Sequence, residues 1–123
     1  MHTPFGNDER RANPRLLCAE LVEVRWRQKT GFLRRAVANL EDISQRGACI
    51  QLETSIPLDT RLTIHYGDGE LVGTIRYCTY RDFGYFLGVE FVEGYRWSEK
   101  QFKPQHLLDL EQMVQQAANR GRK

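Results

Sequence analysis

An all-β fold, closed into a small antiparallel barrel, is what this 123-residue sequence predicts, and three observations predict it. Between Leu16 and Val92 the apolar residues recur with a period of two, the spacing of a strand with one buried face. The links between these runs are short and carry glycine, as antiparallel hairpins do. About six strands joined so tightly leave open edges in a flat sheet, and curling the sheet shut removes them.

Each element follows from the residues. Pro4, Gly6, Asn7, Asn13 and Pro14 break any period, so residues 1–15 are expected to form a flexible, irregular segment. Gly31 turns a first long strand into a second. In "ACIQLE", Ala48, Ile50 and Leu52 face one way and Cys49, Gln51 and Glu53 the other. Pro57 marks a looser connection. "RLTIHY" sends Leu62, Ile64 and Tyr66 inward, "ELVGTIRY" Leu71, Gly73, Ile75 and Tyr77, and "YFLGVEF" Tyr85, Leu87, Val89 and Phe91. Gly67-Asp68-Gly69 and Asp82-Phe83-Gly84 read as hairpin loops, and Gly73 and Gly88 as places where closure bends the strands. The barrel is expected over residues 16–103. The period then changes: Leu107, Leu110, Val114 and Ala117 recur at helical spacing, Pro104 suits a first turn and Gly121 a stop. Residues 104–123 are therefore predicted as an amphipathic C-terminal α-helix with a solvated basic tail.

Composition narrows the function. With 41% hydrophobic and 28% charged residues, the chain suits one domain with a real core. Its net charge of +2 is too small for a general nucleic-acid binder, and no DNA or RNA partner is expected. The charge is uneven, however. Up to Arg35 there are eight cations (Arg10, Arg11, Arg15, Arg25, Arg27, Lys29, Arg34, Arg35) against Asp8, Glu9, Glu20 and Glu23, which points to a discrete anionic ligand. No apolar run could cross a bilayer and the polar N-terminus is no signal peptide, so membrane insertion is not expected and a cytoplasmic location is. Cys18, Cys49 and Cys78 are too few and too scattered for a disulfide framework or a zinc ribbon, and read as reduced core thiols. His2, His65 and His106 are equally scattered. No metal or cofactor is implied. Without a phosphate-cradling loop and its lysine, or a nucleophile with a histidine base, the chain does not read as an enzyme.

Two short stretches carry the chemistry. "ERRANPR" gathers Arg10, Arg11 and Arg15 where Pro14 argues against a helix. In "EDISQRG", Asp42 and Ser44 stand two apart at a strand end and share a face, Ile43 points to the core, and Gly47 allows a tight turn and a close backbone approach. An arginine fork matches phosphate oxygens or the O6 and N7 edge of guanine. A carboxylate complements guanine's N–H donors, and a hydroxyl joins either a phosphate or a base edge. Guanine plus phosphate is the ligand class described.

Together the stretches resemble the two signature motifs of the PilZ domain family, Arg-x-x-x-Arg (Arg11, Arg15) and Asp/Asn-x-Ser-x-x-Gly (Asp42, Ser44, Gly47). "LGVEF" resembles that family's last strand. The resemblance runs from about Arg10 through the predicted helix. It implies a six-stranded antiparallel β-barrel with a C-terminal helix, acting as a bacterial receptor for cyclic di-GMP. By this resemblance Arg11 and Arg15 take guanine edges and phosphates from a mobile segment that the ligand orders. Asp42 and Ser44 meet a guanine, and Gly47 lets the backbone approach. An arginine at the position of Arg10 goes, in the family, with an intercalated ligand dimer. The output expected is regulation of an effector protein in a separate chain. The other readings are a degenerate PilZ-like interaction module that has lost the ligand, and a small barrel binding nucleic acid, which the near-neutral charge disfavours.

Overall fold

The structure, a computed structural model, describes residues 15–82 and 84–109. Its strands are β1 (Leu16–Arg27), β2 (Leu33–Ile43), β3 (Gly47–Leu52), β4 (Arg61–Tyr66), β5 (Gly69–Arg81), β6 (Gly84–Phe91) and the two-residue β7 (Leu108–Asp109). The sheet runs β2-β3-β6-β5-β4-β1, and pairing of β1 with β2 closes these six antiparallel strands into a barrel. β7 adds to the N-terminal end of β1, beyond the residues that pair with β4.

The alternation in the sequence is the alternation of the barrel wall. Ala48, Ile50 and Leu52, then Leu62, Ile64 and Tyr66, then Leu87, Val89 and Phe91 are buried in one core cluster. β1 adds Val22, Val24 and Trp26, and β2 adds Ala38, Leu40 and Ile43. Each larger side chain so buried contributes about 1.5–3 kcal/mol. The two hairpins close as expected, Tyr66 opposite Gly69 and Arg81 opposite Gly84. Left-handed backbone at Gly67 (φ 43°) and Asp82 (φ 59°) matches the twist such tight turns need.

Two expectations are corrected. Tyr77 does not face inward. The β5–β6 register shifts between Ile75 and Tyr77, so one extra residue turns Tyr77 to the outer surface and brings Cys78 against the core. Gly88 accordingly makes room rather than a bend: a Cβ there would collide with the Tyr77 ring.

Nor does a helix begin at Pro104. His106 has φ 59°, outside the right-handed helical region, and Leu108 and Asp109 are extended against Leu17 and Leu16. The Ala19 N–H donates to the Gln105 carbonyl at 2.9 Å, and the Gln105 N–H donates to Glu20 Oε1 at 2.8 Å. Partners on β1 satisfy this backbone, which removes the advantage of internal helical bonds. The predicted helix positions Leu110, Val114, Ala117 and Gly121 lie outside the described residues.

Between β6 and β7 the chain packs over the barrel end that holds Tyr66. Trp97 is buried and its indole N–H donates to the Phe102 carbonyl at 2.7 Å. The Phe102 ring stacks on Tyr66 with centroids 4.3 Å apart.

Candidate functional site

One transverse row of the outer wall gathers the candidate residues. Leu17 of β1 lies opposite Asp42 of β2, Asp42 opposite Cys49 of β3, Cys49 opposite Gly88 of β6, and Gly88 opposite Tyr77 of β5. Register irregularities border this row in three strands, between Leu17 and Glu20, Leu40 and Asp42, and Ile75 and Tyr77. Such bulges re-aim side chains, and here they aim a carboxylate and a phenol into the same row.

Arg15, immediately before β1, reaches back over it. Its Nη2 donates to both Asp42 oxygens at 3.1 Å. The pair is largely shielded, with side-chain exposures of 25% for Arg15 and 17% for Asp42. Burial is the largest single influence and lowers the affinity of the guanidinium for its proton, but the charge and hydrogen bonds of Asp42 together with Tyr77 outweigh it and the pKa is raised overall. Burial also raises the Asp42 pKa, against the pull of Arg15 and of the Cys49 backbone N–H. The carboxylate is thus held by Arg15 in a site that disfavours its charge.

Tyr77 joins the pair. Its phenol is close enough to raise the Arg15 pKa and to hold the Cys49 pKa below what burial alone would give. Burial drives the Tyr77 pKa upward and pushes the Cys49 thiol to about 11. Both groups are therefore protonated at neutral pH, which suits them to binding rather than to nucleophilic attack.

The second stretch divides in two. Asp42 faces the row, whereas Ser44 is buried just past the end of β2. The Ser44 N–H donates to the Gly47 carbonyl at 2.8 Å, and Oγ lies 3.3 Å from the same oxygen. The turn is tied down from outside as well: the Arg46 carbonyl accepts from the Phe91 N–H (2.8 Å) and the Gln45 carbonyl from the Trp97 N–H (3.0 Å). Ser44 and Gly47 thus build a fixed wall beside Asp42. Arg10 and Arg11 lie outside the described residues.

Of the residues anticipated, the structure unites Arg15 with Asp42 and Ser44 with Gly47. It adds Tyr77, Cys49 and Gly88, which the motif reading omitted. The usable signal was a glycine within a strand, a mark of close approach by something large. Its partner was hidden because uninterrupted alternation places Tyr77 inside. Among the described residues no group of His, Cys, Asp and Glu is placed to hold a metal ion, and no helix is long and apolar enough to cross a membrane.

Comparison with known proteins agrees with the two motifs. The family profile of the PilZ domain matches residues 9–102. Among solved structures, a crystal structure of MrkH from K. pneumonia is similar, with a TM-score of 0.47 and 16% sequence identity over 86% of this chain and 50% of that one. The chain thus spans half the length of that protein. No match is found among curated proteins.

Proposed function

The chain belongs to the PilZ domain family, a family of cyclic di-GMP receptors, and from that premise we propose that it binds cyclic di-GMP through Arg11, Arg15, Asp42, Ser44 and Gly47. The observation that carries the proposal is the contact of Arg15 with Asp42, which joins the last residue of the first motif to the first residue of the second. The arginine forks take guanine O6 and N7 edges and phosphate oxygens, and Asp42 accepts from the N–H groups on the opposite edge of a guanine. The tied turn from Ser44 to Gly47 gives the ligand a rigid wall. The Tyr77 ring, across Gly88, bounds the other side.

A ligand arriving here exchanges one set of charge-assisted hydrogen bonds for another. Arg15 trades or shares its carboxylate for a phosphate or a guanine edge, and the segment before β1 moves with it. That displacement is the signal, and a partner protein reads the altered surface. Arg10 supplies a further guanidinium for a second guanine, so the ligand enters as an intercalated dimer.

Isothermal titration of cyclic di-GMP, with GTP and a linear guanine dinucleotide as controls, tests these statements together. Selective binding at two ligands per chain is expected. One ligand per chain removes the role given to Arg10. No binding by a folded sample leaves a protein-interaction module in place of a receptor.

A further inference from the structure

At the far end of β1 from Arg15, a groove of about 920 Å³ opens between the β1–β2 turn and the connection over residues 53–60. Arg27, Lys29, Arg34 and Arg61 stand along it. Two other charged residues of the lining are already engaged, Arg25 with Glu23 at 2.6 Å and Asp59 with Arg76 at 3.2 Å. Among the described lining residues this leaves four cations against Glu70, a local excess of +3 where the whole chain carries +2. No carboxylate of the described residues lies within ion-pair distance of Lys29, Arg34 or Arg61.

The groove is also apolar and preformed. Leu33 is 54% and Leu58 59% exposed, large apolar surfaces that water must cover in the isolated chain. One wall is fixed to β5, because the Asp59 N–H donates to the Ile75 carbonyl and the Ile75 N–H to the Thr60 carbonyl. Buried Ile56 anchors the same connection. The other wall is closed by hydrogen bonds from Gln28 N–H to the Phe32 carbonyl and from the Arg27 guanidinium to the Gly31 carbonyl. An occupant therefore meets walls already in place and little ordering cost.

We propose that this groove docks an acidic, amphipathic segment of a partner protein, its leucine-like side chains covering Leu33 and Leu58 and its carboxylates meeting Arg34 and Arg61. Charge complementarity selects this occupant. Residues 110–123 of the chain itself carry Glu111 against Arg120, Arg122 and Lys123, the wrong sign for a basic groove. A single-stranded nucleic acid needs an accessible stacking face, and the tryptophan of this lining, Trp26, is buried. A membrane surface is flat, whereas these cations line a concavity. The proposal extends the receptor reading by giving its partner a surface remote from the ligand. Its test needs no cyclic dinucleotide, so either idea can fail alone.

The probes are fluorescein-labelled amphipathic peptides sharing one leucine pattern, with Glu, Gln or Lys at the intervening positions, followed by fluorescence anisotropy with the full chain. The Glu peptide is expected to saturate and to weaken with added salt, the Gln peptide to bind about tenfold less tightly, and the Lys peptide not to bind. Arg34→Glu with Arg61→Glu should weaken the Glu peptide about tenfold or more while the cyclic di-GMP titration and melting curve stay unchanged. Leu58→Ser tests the apolar half independently if the double variant is poorly folded. Equal binding of the Glu and Gln peptides, or no loss in both variants, overturns the proposal. So does binding of phosphatidylserine vesicles or an oligonucleotide that is lost in these variants while the peptides do not bind. A concentration-dependent dimer abolished by Arg61→Glu would assign the groove to a second copy instead.

Discussion

Arg15 and Arg27 flank and end the same strand, yet their surroundings differ. Arg15 meets a carboxylate at 3.1 Å on each oxygen and a phenol, in a site mostly shielded from water. Arg27 donates to the backbone carbonyl of Gly31 at 2.9 Å, and its neighbours Lys29 and Arg34 find no carboxylate among the described residues. At one end the protein supplies the counter-ion itself, so a ligand of the proposed kind would have to exchange for it. At the other the positive field extends into solution, where it would steer an acidic partner of the kind proposed. The local counter-ion, more than the number of arginines, separates an exchange site from a docking surface.

The sharpest way to break that contrast is Arg15→Ala. Binding of cyclic di-GMP should weaken by about 1–3 kcal/mol, and calorimetry reads it directly. Stability in urea should also fall, by about 1.5 kcal/mol, because Asp42 keeps its buried charge and loses its main donor. Arg11→Ala should match the first effect. An Arg15→Ala protein with unchanged ligand affinity and unchanged stability would remove the ion pair from the site.

Tyr77→Phe is a finer probe of the same end. It keeps the ring over Gly88 and deletes the hydroxyl that influences Arg15 and Cys49, so thermal unfolding should report a loss of about 1 kcal/mol. In the mutant the Cys49 thiol should titrate still higher, since the phenol donor now lowers it. In the native chain Cys49, at about 11, and Cys18, pushed by burial to about 12, should both react slowly with iodoacetamide at neutral pH and rapidly once unfolded.

Acidity separates the two ends as well. The Asp42 pKa is raised on folding, so its contribution to stability is complete below the ordinary aspartate range and is lost as pH rises through the raised value. The stability difference between the native chain and Asp42→Asn should therefore fall between acid and neutral pH. With Arg15→Ala as background the fall should reach to higher pH, since the group that lowers the Asp42 pKa is gone. Urea titrations across that range would show a flat difference if the pair were merely a surface contact. Smallest of all, Arg34→Ala should change stability by less than about 0.5 kcal/mol, because no ion pair holds it in place.

Several features of this fold were legible in the chain. Ala48, Ile50 and Leu52 alternate because each strand residue must face either water or core, and composition records that choice locally. The short glycine loops fix antiparallel neighbours for the same reason. Tyr77 was not legible. One extra residue in the β5–β6 ladder reverses every side chain after it, and nothing in "GTIRYC" marks where the register slips. The helical start expected at Pro104 failed through competition, since β1 offered Leu108 and Asp109 strand partners that a count of apolar spacing cannot see. Half of the candidate site was similarly visible: Asp42 and Arg15 stood out by residue type, while the shielding that shifts their pKa values depends on what lies over them.

The sequence by itself determined the all-β class, the inward positions of its regular strands, the family motifs and the concentration of cations up to Arg35. Those properties are local, set by residue type and period. Tertiary structure alone decided that these cations part company along the 12 residues of β1, Arg15 going to a carboxylate 27 positions away and Arg27 to a basic groove. Charge neutralisation depends on distance in space, and in a barrel that distance is set by register and closure rather than by order along the chain.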